Sequence, residues 1–421
     1  MKVAVIILAV LLVGVLVAGG LWVRERPNSH PADQVGEVKS EHDLLGLLAP
    51  LIGRRVTDGN RIELLENGEE IFPAMLEAIE QAEDTVHLLT YVYWSGDIAE
   101  QFVDAVERAG QRGVEVRVLI DAFGGSKMPE ELRKRLDTAP CEMAWFRPLE
   151  WHQPGKFNRR THRKILVVDG KIGFAGGVGI ADEWTGDGRS ENQWRDDHFR
   201  IEGPVVADLQ GAFAENWLHS TGEVIMGERY FPELIPSGEA KVLAINSTPE
   251  GRDSPLTLAY WSLIHRAKHR LDLQTPYFVP HPTMLEEILE AAERGVQVRL
   301  LVPGETNDSD MVRMASQALY PDLLEAGVSL YEYDATMMHA KVVVADDRFS
   351  IVGSANLDHR SFELNHETVL VVDDQRLASE LHRSFGEDAQ IAKRVDPEEF
   401  EGVGAAKAWV ASTSLAFRSQ L

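Results

Sequence analysis

The chain has one cysteine, Cys141, in 421 residues. An intramolecular disulfide is excluded, and a lone thiol of this kind reads as a small buried hydrophobe rather than a nucleophile. Basic residues are scarce as well: 42 Lys and Arg stand against 67 Asp and Glu, for a formal charge of −25. Nucleic acid is held by Lys and Arg neutralising phosphates, so this balance argues against such a partner while leaving room for a local basic pocket. Charge is missing altogether from Val3 to Val23, a run of apolar side chains and glycine. At helical rise it is long enough to cross a bilayer core, and 1–23 is expected to be an uncleaved membrane anchor. A cleaved signal peptide is the rival, but the run exceeds a usual signal core and no clean A-x-A site follows. Lys2 before it and Arg24 and Arg26 after it give a slight bias toward a cytoplasmic catalytic side of an inner, single-pass membrane protein.

What the chain does have is one polar pattern written twice. THRKILVVDGKIGFAGG, from Thr161, places His162, Lys164 and Asp169 ahead of Gly176 and Gly177. MHAKVVVADDRFSIVGSAN, from Met338, places His339, Lys341 and Asp346 ahead of Gly353 and Ser354 at the same spacing. After any histidine, a Lys two and an Asp seven residues on each arise by chance about one time in twenty, so two matched sets are not an accident of composition.

Around each copy the apolar spacing alternates between strand and helix. In the first half Arg61–Leu65 reads as a strand, Glu66-Asn67-Gly68 as a turn, and Ile71–Ala82 as a helix. A strand at Val86–Tyr93, a helix at Ile98–Arg112 stopped by Gly113 and a strand at Val114–Ile120 follow. The second half repeats the order, with helix Leu256–Ala267, strand Leu271–Phe278, helix Met284–Arg294 stopped by Gly295, and strand Val296–Val302. AGQRGVEVRVLID and AAERGVQVRLLVP align across the halves, and an internal duplication is the simplest account. The expected fold class is α/β, with two similar sandwich domains of mainly parallel sheet and a transmembrane helix ahead of them. The expected bounds are anchor 1–23, linker 24–43, first domain 44–235, second domain 236–400 and tail 401–421.

On a strand, residues i and i+2 share a face, so His162 projects with Lys164 and His339 with Lys341. Asp169 and Asp346 end the strand or begin its turn, where they could serve structure instead of substrate. Gly176, Gly177, Gly353 and Ser354 permit a close backbone approach that suits a phosphate oxygen. A His beside a Lys, present twice, fits phosphoryl transfer without metal or other cofactor. One imidazole attacks phosphorus and forms a phosphohistidine, while the other gives its proton to the leaving alcohol. The lysines balance charge on the equatorial oxygens. Each histidine needs an acid on its other ring nitrogen. Glu367, in NHET, is expected to serve His339. Asp196 in WRDDHF, with Asp197 next, is expected to serve His162.

These paired segments resemble the phospholipase D superfamily, and the surrounding text resembles its bacterial cardiolipin synthase subfamily. NRRTHRKILVVDGKIGFAGG, WRDDHFRIEGP, TPYFVP and GSANLDHRSFELNHE carry that likeness, which covers roughly Gly59 to Phe385. It implies two α/β sandwiches related by a pseudo-twofold, with one active site at their interface where His162 and His339 share nucleophile and acid duties. Ser354 and Asn356 match the second motif's phosphate-side residues. The implied reaction joins two phosphatidylglycerols and releases glycerol, at the membrane and with no obligate protein partner. Hydrolysis to phosphatidic acid is the near alternative, and a silent scaffold binding anionic lipid a distant one. Gly179 departs from the family, standing where the first motif usually has asparagine.

His265 and His269 lie four apart on a helix, more in keeping with a solvated face than with a metal site. Arg159, Arg160 and Arg163 either meet lipid head groups or form an ordinary salt-bridged surface. Trp145, Phe146, Trp151 and Phe157 divide between core packing and lipid contact. Asp308 and Asp310 suit a loop at the site mouth, and Gly124-Gly125 a strand-to-helix turn.

Overall fold

The computed structural model describes residues 43–138, 140–148, 158–190, 192–249 and 255–399. The expected anchor, most of the linker, the tail 401–421, Trp151 and Phe157 lie outside the described residues. No helix among the described residues is long and apolar enough to cross a membrane.

The first half contributes β1 (Thr57–Glu66), β2 (Thr85–Thr90), β3 (Glu115–Asp121), β4 (Glu142–Phe146), β5 (Ile165–Val168), β6 (Ile172–Gly176) and β7 (Asp197–Glu202). The second contributes β8 (Ala240–Ser247), β9 (Arg270–Gln274), β10 (Phe278–Val279), β11 (Gln297–Pro303) and β12 (Ser329–Tyr333). It continues with β13 (Val342–Ala345), β14 (Phe349–Gly353), β15 (Leu357–Asp358), β16 (Glu367–Asp373) and β17 (Lys393–Arg394). β10 pairs with β15; the other described strands form a 15-stranded sheet. Read outward from its centre, one arm runs β1-β7-β6-β5-β2-β3-β4 and the other β8-β16-β14-β13-β9-β11-β12, closed by β17. The arms repeat one another position for position. They join where β1 pairs antiparallel with β8, at Thr57↔Val242 and Asn60↔Ala240.

The sheet is mixed, not mainly parallel. β2, β3 and β4 run parallel, as do β9, β11 and β12, because helices carry the chain between them. β2 is buried at every position, as a strand covered on both faces must be. The inner strands are antiparallel, and between β5 and β6 and between β13 and β14 the link is too short for a crossover. Asp169 (φ 54°) and Gly170 (φ 63°) make the tight turn between β5 and β6, a conformation that two-residue hairpins require. Asp346 (φ 52°) opens the short turn from β13 into β14, where the next residue, Asp347, has no positive φ.

Helix Asp97–Gln111 ends before Gly113 (φ 90°), and helix Pro282–Glu293 before Gly295 (φ 88°), as the sequence expects. Asn67 does not form a turn of its own: with φ 60° it leads β1 directly into helix Asn67–Glu80. Three large apolar clusters fill the layers. Two lie under the outer helices of the first and second halves. The third joins both arms of the sheet to helices Val206–Thr221 and Gln375–Ile391. This shared core fixes the strand ends that carry the polar repeats.

Candidate active site

His162 and Lys164 lead into β5, and His339 and Lys341 into β13. Two isolated parallel bridges tie these leads across the halves, Thr161 to His366 and Arg195 to Met338. Through them the His162 amide donates to the His366 carbonyl at 2.9 Å, and the His339 amide to the Arg195 carbonyl at 2.7 Å. Each histidine is therefore seated against the other half, beside the segment that carries an acid.

The carboxylate pairing is the reverse of the sequence expectation. His162 Nδ1 lies 3.0 Å from Glu367 Oε1, and His339 Nδ1 lies 2.7 Å from Asp196 Oδ2. The cross-half bridges cause this, because each histidine's neighbouring strand comes from the other repeat. Asp197 serves neither ring; it pairs with Arg195, which also binds Asp388 at 2.9 Å. Burial pushes the Glu367 carboxyl up, but His162, Lys164 and a hydrogen bond from Ser354 outweigh it and hold the group below its ordinary value. Asp196 is likewise raised by burial and lowered overall by His339, Lys341 and the Trp184 indole, which donates at 2.9 Å. Ionised carboxylates only accept, so each Nδ1 carries the proton and each Nε2 the lone pair.

Burial, reinforced by the lysines, lowers His162 to about 4 and His339 to about 3. Burial also brings Lys164 down to about 7 and Lys341 to about 8, with Glu367 and Asp196 pulling the other way. Each imidazole is influenced by both lysines, so the four groups act as one cluster. The lysines are not equivalent. Lys164 Nζ donates to the His162 carbonyl at 2.8 Å. Lys341 Nζ reaches its own histidine's carbonyl at 2.5 Å and lies against the His339 ring, 3.0 Å from Nδ1 and 3.2 Å from Nε2.

Asp169 and Asp346 are not with the cluster. Asp169 accepts from the amides of Glu83, Asp84 and Thr85, at 3.1, 2.7 and 2.9 Å. Asp346 accepts from those of Lys268, His269 and Arg270, at 3.2, 2.8 and 3.1 Å. Seven residues from the histidine on an extended chain is on the order of 20 Å, so both clamp the entry to a neighbouring strand instead of touching the reacting atoms.

The glycine pair also has a different use from the one expected. A Cβ at Gly177 would stand 2.1 Å from Asp196 Oδ1, and one at Gly176 would stand 2.6 Å from His198 Nδ1. The Gly177 amide is spent on the Asp197 carbonyl. These glycines make room for side chains of β7 and its lead. Ser354 turns its hydroxyl to Glu367. Asn356 remains suited to a ligand: it is buried, its Nδ2 lies 3.3 Å from Asp358, and its Oδ1 has no partner among the described residues.

Of the arginines, Arg160 is buried against Asp121 at 3.0 Å, and Arg163 against Asn216 and Glu215 at 2.6 and 2.8 Å. Neither meets a head group. Arg159 is partly buried, its carbonyl accepting from Arg147 at 2.9 Å. Phe146 is core, and Trp145 packs partly buried against the first half's core. His265 bonds Glu287 at 3.1 Å on a half-exposed helix face. Asp308 accepts from the Tyr277 hydroxyl at 2.5 Å, and Asp310 opens helix Asp310–Gln317. Gly124 packs on the Tyr91 carbonyl in a short helical turn. Sequence reasoning missed the aromatic walls. Tyr91 lies 5.2 Å from the His162 ring, and Trp184 and Trp194 lie 5.5 and 5.3 Å from that of His339. Trp194 begins WRDDHF, and Tyr91 follows β2, positions that periodicity alone reads as core or loop.

The family model described as cardiolipin synthase, phospholipase D-like domain, matches residues 75–217 and 260–389. Cardiolipin synthase 1 of Bacillus cereus is 34% identical over 359 residues, covering 83% of this chain and 70% of that protein. Cardiolipin synthase of Geobacillus kaustophilus is 33% identical over 380 residues, covering 90% and 76%. Among solved structures, a phosphatidylserine synthase from Haemophilus influenzae superposes with a TM-score of 0.67 at 15% identity, covering 89% of this chain and 99% of its own. That likeness speaks for the fold. With both repeats matched and the relatives aligned over most of their length, the chain belongs to the phospholipase D superfamily, in its cardiolipin synthase subfamily.

Proposed function

We propose that this chain is a membrane phosphatidyltransferase that makes cardiolipin from two phosphatidylglycerols by way of a phosphohistidine. His162 is the nucleophile and His339 the general acid. The Lys341 ammonium lies against the His339 ring, 3.0 Å from Nδ1 and 3.2 Å from Nε2, a proton source that the His162 ring lacks among the described residues. In the first step the His162 Nε2 bonds to phosphorus, the phosphorus–oxygen bond to glycerol breaks, and the alcohol takes its proton from His339. In the second, a hydroxyl of another phosphatidylglycerol gives its proton to His339, attacks phosphorus and frees His162. Burial and the lysines keep both rings neutral in the unliganded site. A bound phosphodiester brings the negative charge that raises the cluster's proton affinity. Lys164, Lys341 and the second Nδ2 proton of Asn356, the first being directed at Asp358, stabilise the equatorial oxygens.

Two further readings go with this. The halves 44–235 and 236–400 are treated as one duplicated unit, which the position-for-position repeat of the sheet arms supports. Residues 1–23 are taken as a single anchor in the bacterial inner membrane, with the catalytic halves on the cytoplasmic side; their apolar, charge-free composition supports this.

The single observation that carries the reaction is the crosswise pair of imidazole–carboxylate contacts, one from each repeat, around two buried lysines. Membranes containing the enzyme, supplied with labelled phosphatidylglycerol, should yield cardiolipin and free glycerol in equal amounts. Phosphatidic acid as the main product would reassign the enzyme as a hydrolase. Neither product from folded enzyme would refute both.

A further inference from the structure

His198 lies on β7 two residues beyond Asp196, on the same face of the strand. It is 1% exposed, and neither of its ring nitrogens has a hydrogen-bond partner among the described residues. A buried imidazole left so is costly unless something satisfies it. Burial lowers this ring to about 3 and so keeps it neutral, with one lone pair and one N–H to place.

A small cavity, with room for about one water molecule, lies beside it. His198, Thr90 and Lys164 line it together with Phe72, Met75 and Gly179. The Thr90 hydroxyl donates to the Val92 carbonyl at 2.9 Å and keeps its lone pairs for another donor. Lys164 belongs both to this cavity and to the reacting cluster. Of its ammonium protons, one is committed to the His162 carbonyl.

The second half is different at these positions. Gly353 faces Val369 across its strand pair, where Gly176 faces His198 in the first half. Lys341 has the His339 ring and carbonyl as partners. Lys164 has no such ring contact with His162 among the described residues, and has His198 behind it. The glycine at 176 is needed for that ring, because a Cβ would stand 2.6 Å from His198 Nδ1.

We propose that His198 is a positioning residue acting through Lys164. One water in the cavity accepts from the Lys164 ammonium and donates to the bare ring nitrogen of His198 and to Thr90. The ammonium is thereby held charged and aimed at the phosphodiester. This rests on the reaction proposed above. Lys164 also faces Glu367, Asp196, Asp121, Lys341 and His162, with the Tyr91 ring 5.4 Å from its nitrogen, so the comparison must be between variants that leave these groups alone.

The test is His198→Val, which installs the residue of the other half, beside His198→Gln, which restores an acceptor. Losing the acceptor makes the ammonium easier to discharge. In His198→Val, kcat should fall about tenfold with KM nearly unchanged, and the alkaline limb of the kcat/KM profile should move about one unit lower. His198→Gln should recover most of both. Labelling of Lys164 by an amine-acylating reagent, followed by mass spectrometry across pH, should shift by the same amount. This arm needs no turnover, so it still decides the proposal if the enzyme proves not to make cardiolipin. Thr90→Val, which removes the water's third partner, should shift labelling in the same direction. It replaces the His198 variant should that one fail to fold. Folded variants whose labelling profile matches the parent would overturn the proposal, as would a high-resolution crystal structure with no water between His198 and Lys164.

Discussion

Glu367 holds the Nδ1 of His162 at 3.0 Å although 205 residues separate them. Asp196 and His339 make the reciprocal contact over 143 residues. Neither motif histidine takes its carboxylate from its own repeat. Glu367→Gln keeps the shape but lets the amide nitrogen face the ring, upsetting the tautomer that leaves Nε2 bare. It should lower kcat by about 10²- to 10⁴-fold with little change in KM. Asp196→Asn should do the same through His339. Steady-state kinetics on detergent-solubilised enzyme checks both, and a loss of less than about tenfold would deny the carboxylates an orienting role.

The proposed choice of His162 as nucleophile rests on the unequal lysines. With a p-nitrophenyl phosphodiester, whose leaving group needs no proton, His339→Ala should still be phosphorylated and should accumulate the adduct on His162. His162→Ala should accumulate none. Peptide mapping under alkaline conditions, where phosphohistidine survives, reads the outcome. An adduct on His339 in the second variant would reverse the assignment.

Much of this site is visible in the sequence because the duplicated H-x-K pattern fixes residue type and face together. The matched stretches AGQRGVEVRVLID and AAERGVQVRLLVP likewise foretell matched strands, β3 and β11. What escapes is anything decided between the halves. No spacing rule links Glu367 to His162, because that contact depends on the bridge between Thr161 and His366. The sheet's mixed direction escaped for a related reason. A run such as ILVV reads as a fully buried strand whichever way its neighbour points, and the direction is set by the two-residue turn at Asp169-Gly170. Spacing alone leaves the motif aspartates either role; the three backbone amides that each accepts from decide for structure.

The buried lysines should make activity and stability diverge with pH. Lys164 falls from an ordinary 10.5 to about 7, and Lys341 to about 8. Between those values and 10.5 the unfolded chain binds more protons than the folded one, so these two groups make stability rise with pH. The charge that serves the phosphodiester is lost over the same window, so kcat/KM should fall. In acid the histidines act likewise. Their ordinary 6.5 drops to about 4 and about 3, so their contribution to stability is lost as pH falls below 6.5. Thermal melts and kcat/KM measured from about pH 6 to about pH 10 should run in opposite directions on the alkaline side.

Asp169→Ala should damage the fold more than the chemistry. It strips the acceptor from three backbone amides at the start of β2, and charged acceptors of this kind are worth about 2–3 kcal/mol in sum after solvent screening. Asp346→Ala should cost a similar amount at the start of β9. Denaturant unfolding gives the loss, and active-site titration by phosphohistidine formation gives turnover per folded enzyme. That turnover should stay within a few-fold of the parent. A collapse of turnover in fully folded Asp169→Ala would return the aspartate to the reacting centre.

Gly179 tests whether the missing asparagine of the first motif is a gap or a replacement. A Cβ there would stand 2.7 Å from Val92 Cβ, 3.0 Å from Val92 Cγ1 and 3.1 Å from Trp184 Cζ3. The space an asparagine would need is already filled, and Trp184 supplies the donor to Asp196 from a different position. Gly179→Asn should therefore overpack the site and cost about 1–3 kcal/mol. It should also lower kcat, because Trp184 must give by a few tenths of an ångström once Val92 has shifted. Adding Val92→Ala removes Cγ1 while leaving Cβ, and should return part of the melting temperature. Activity should return only as far as Trp184 regains Asp196, which the indole N–H signal reports by NMR. A Gly179→Asn enzyme more active than the parent would mean that the first repeat lacks a contact its family normally makes.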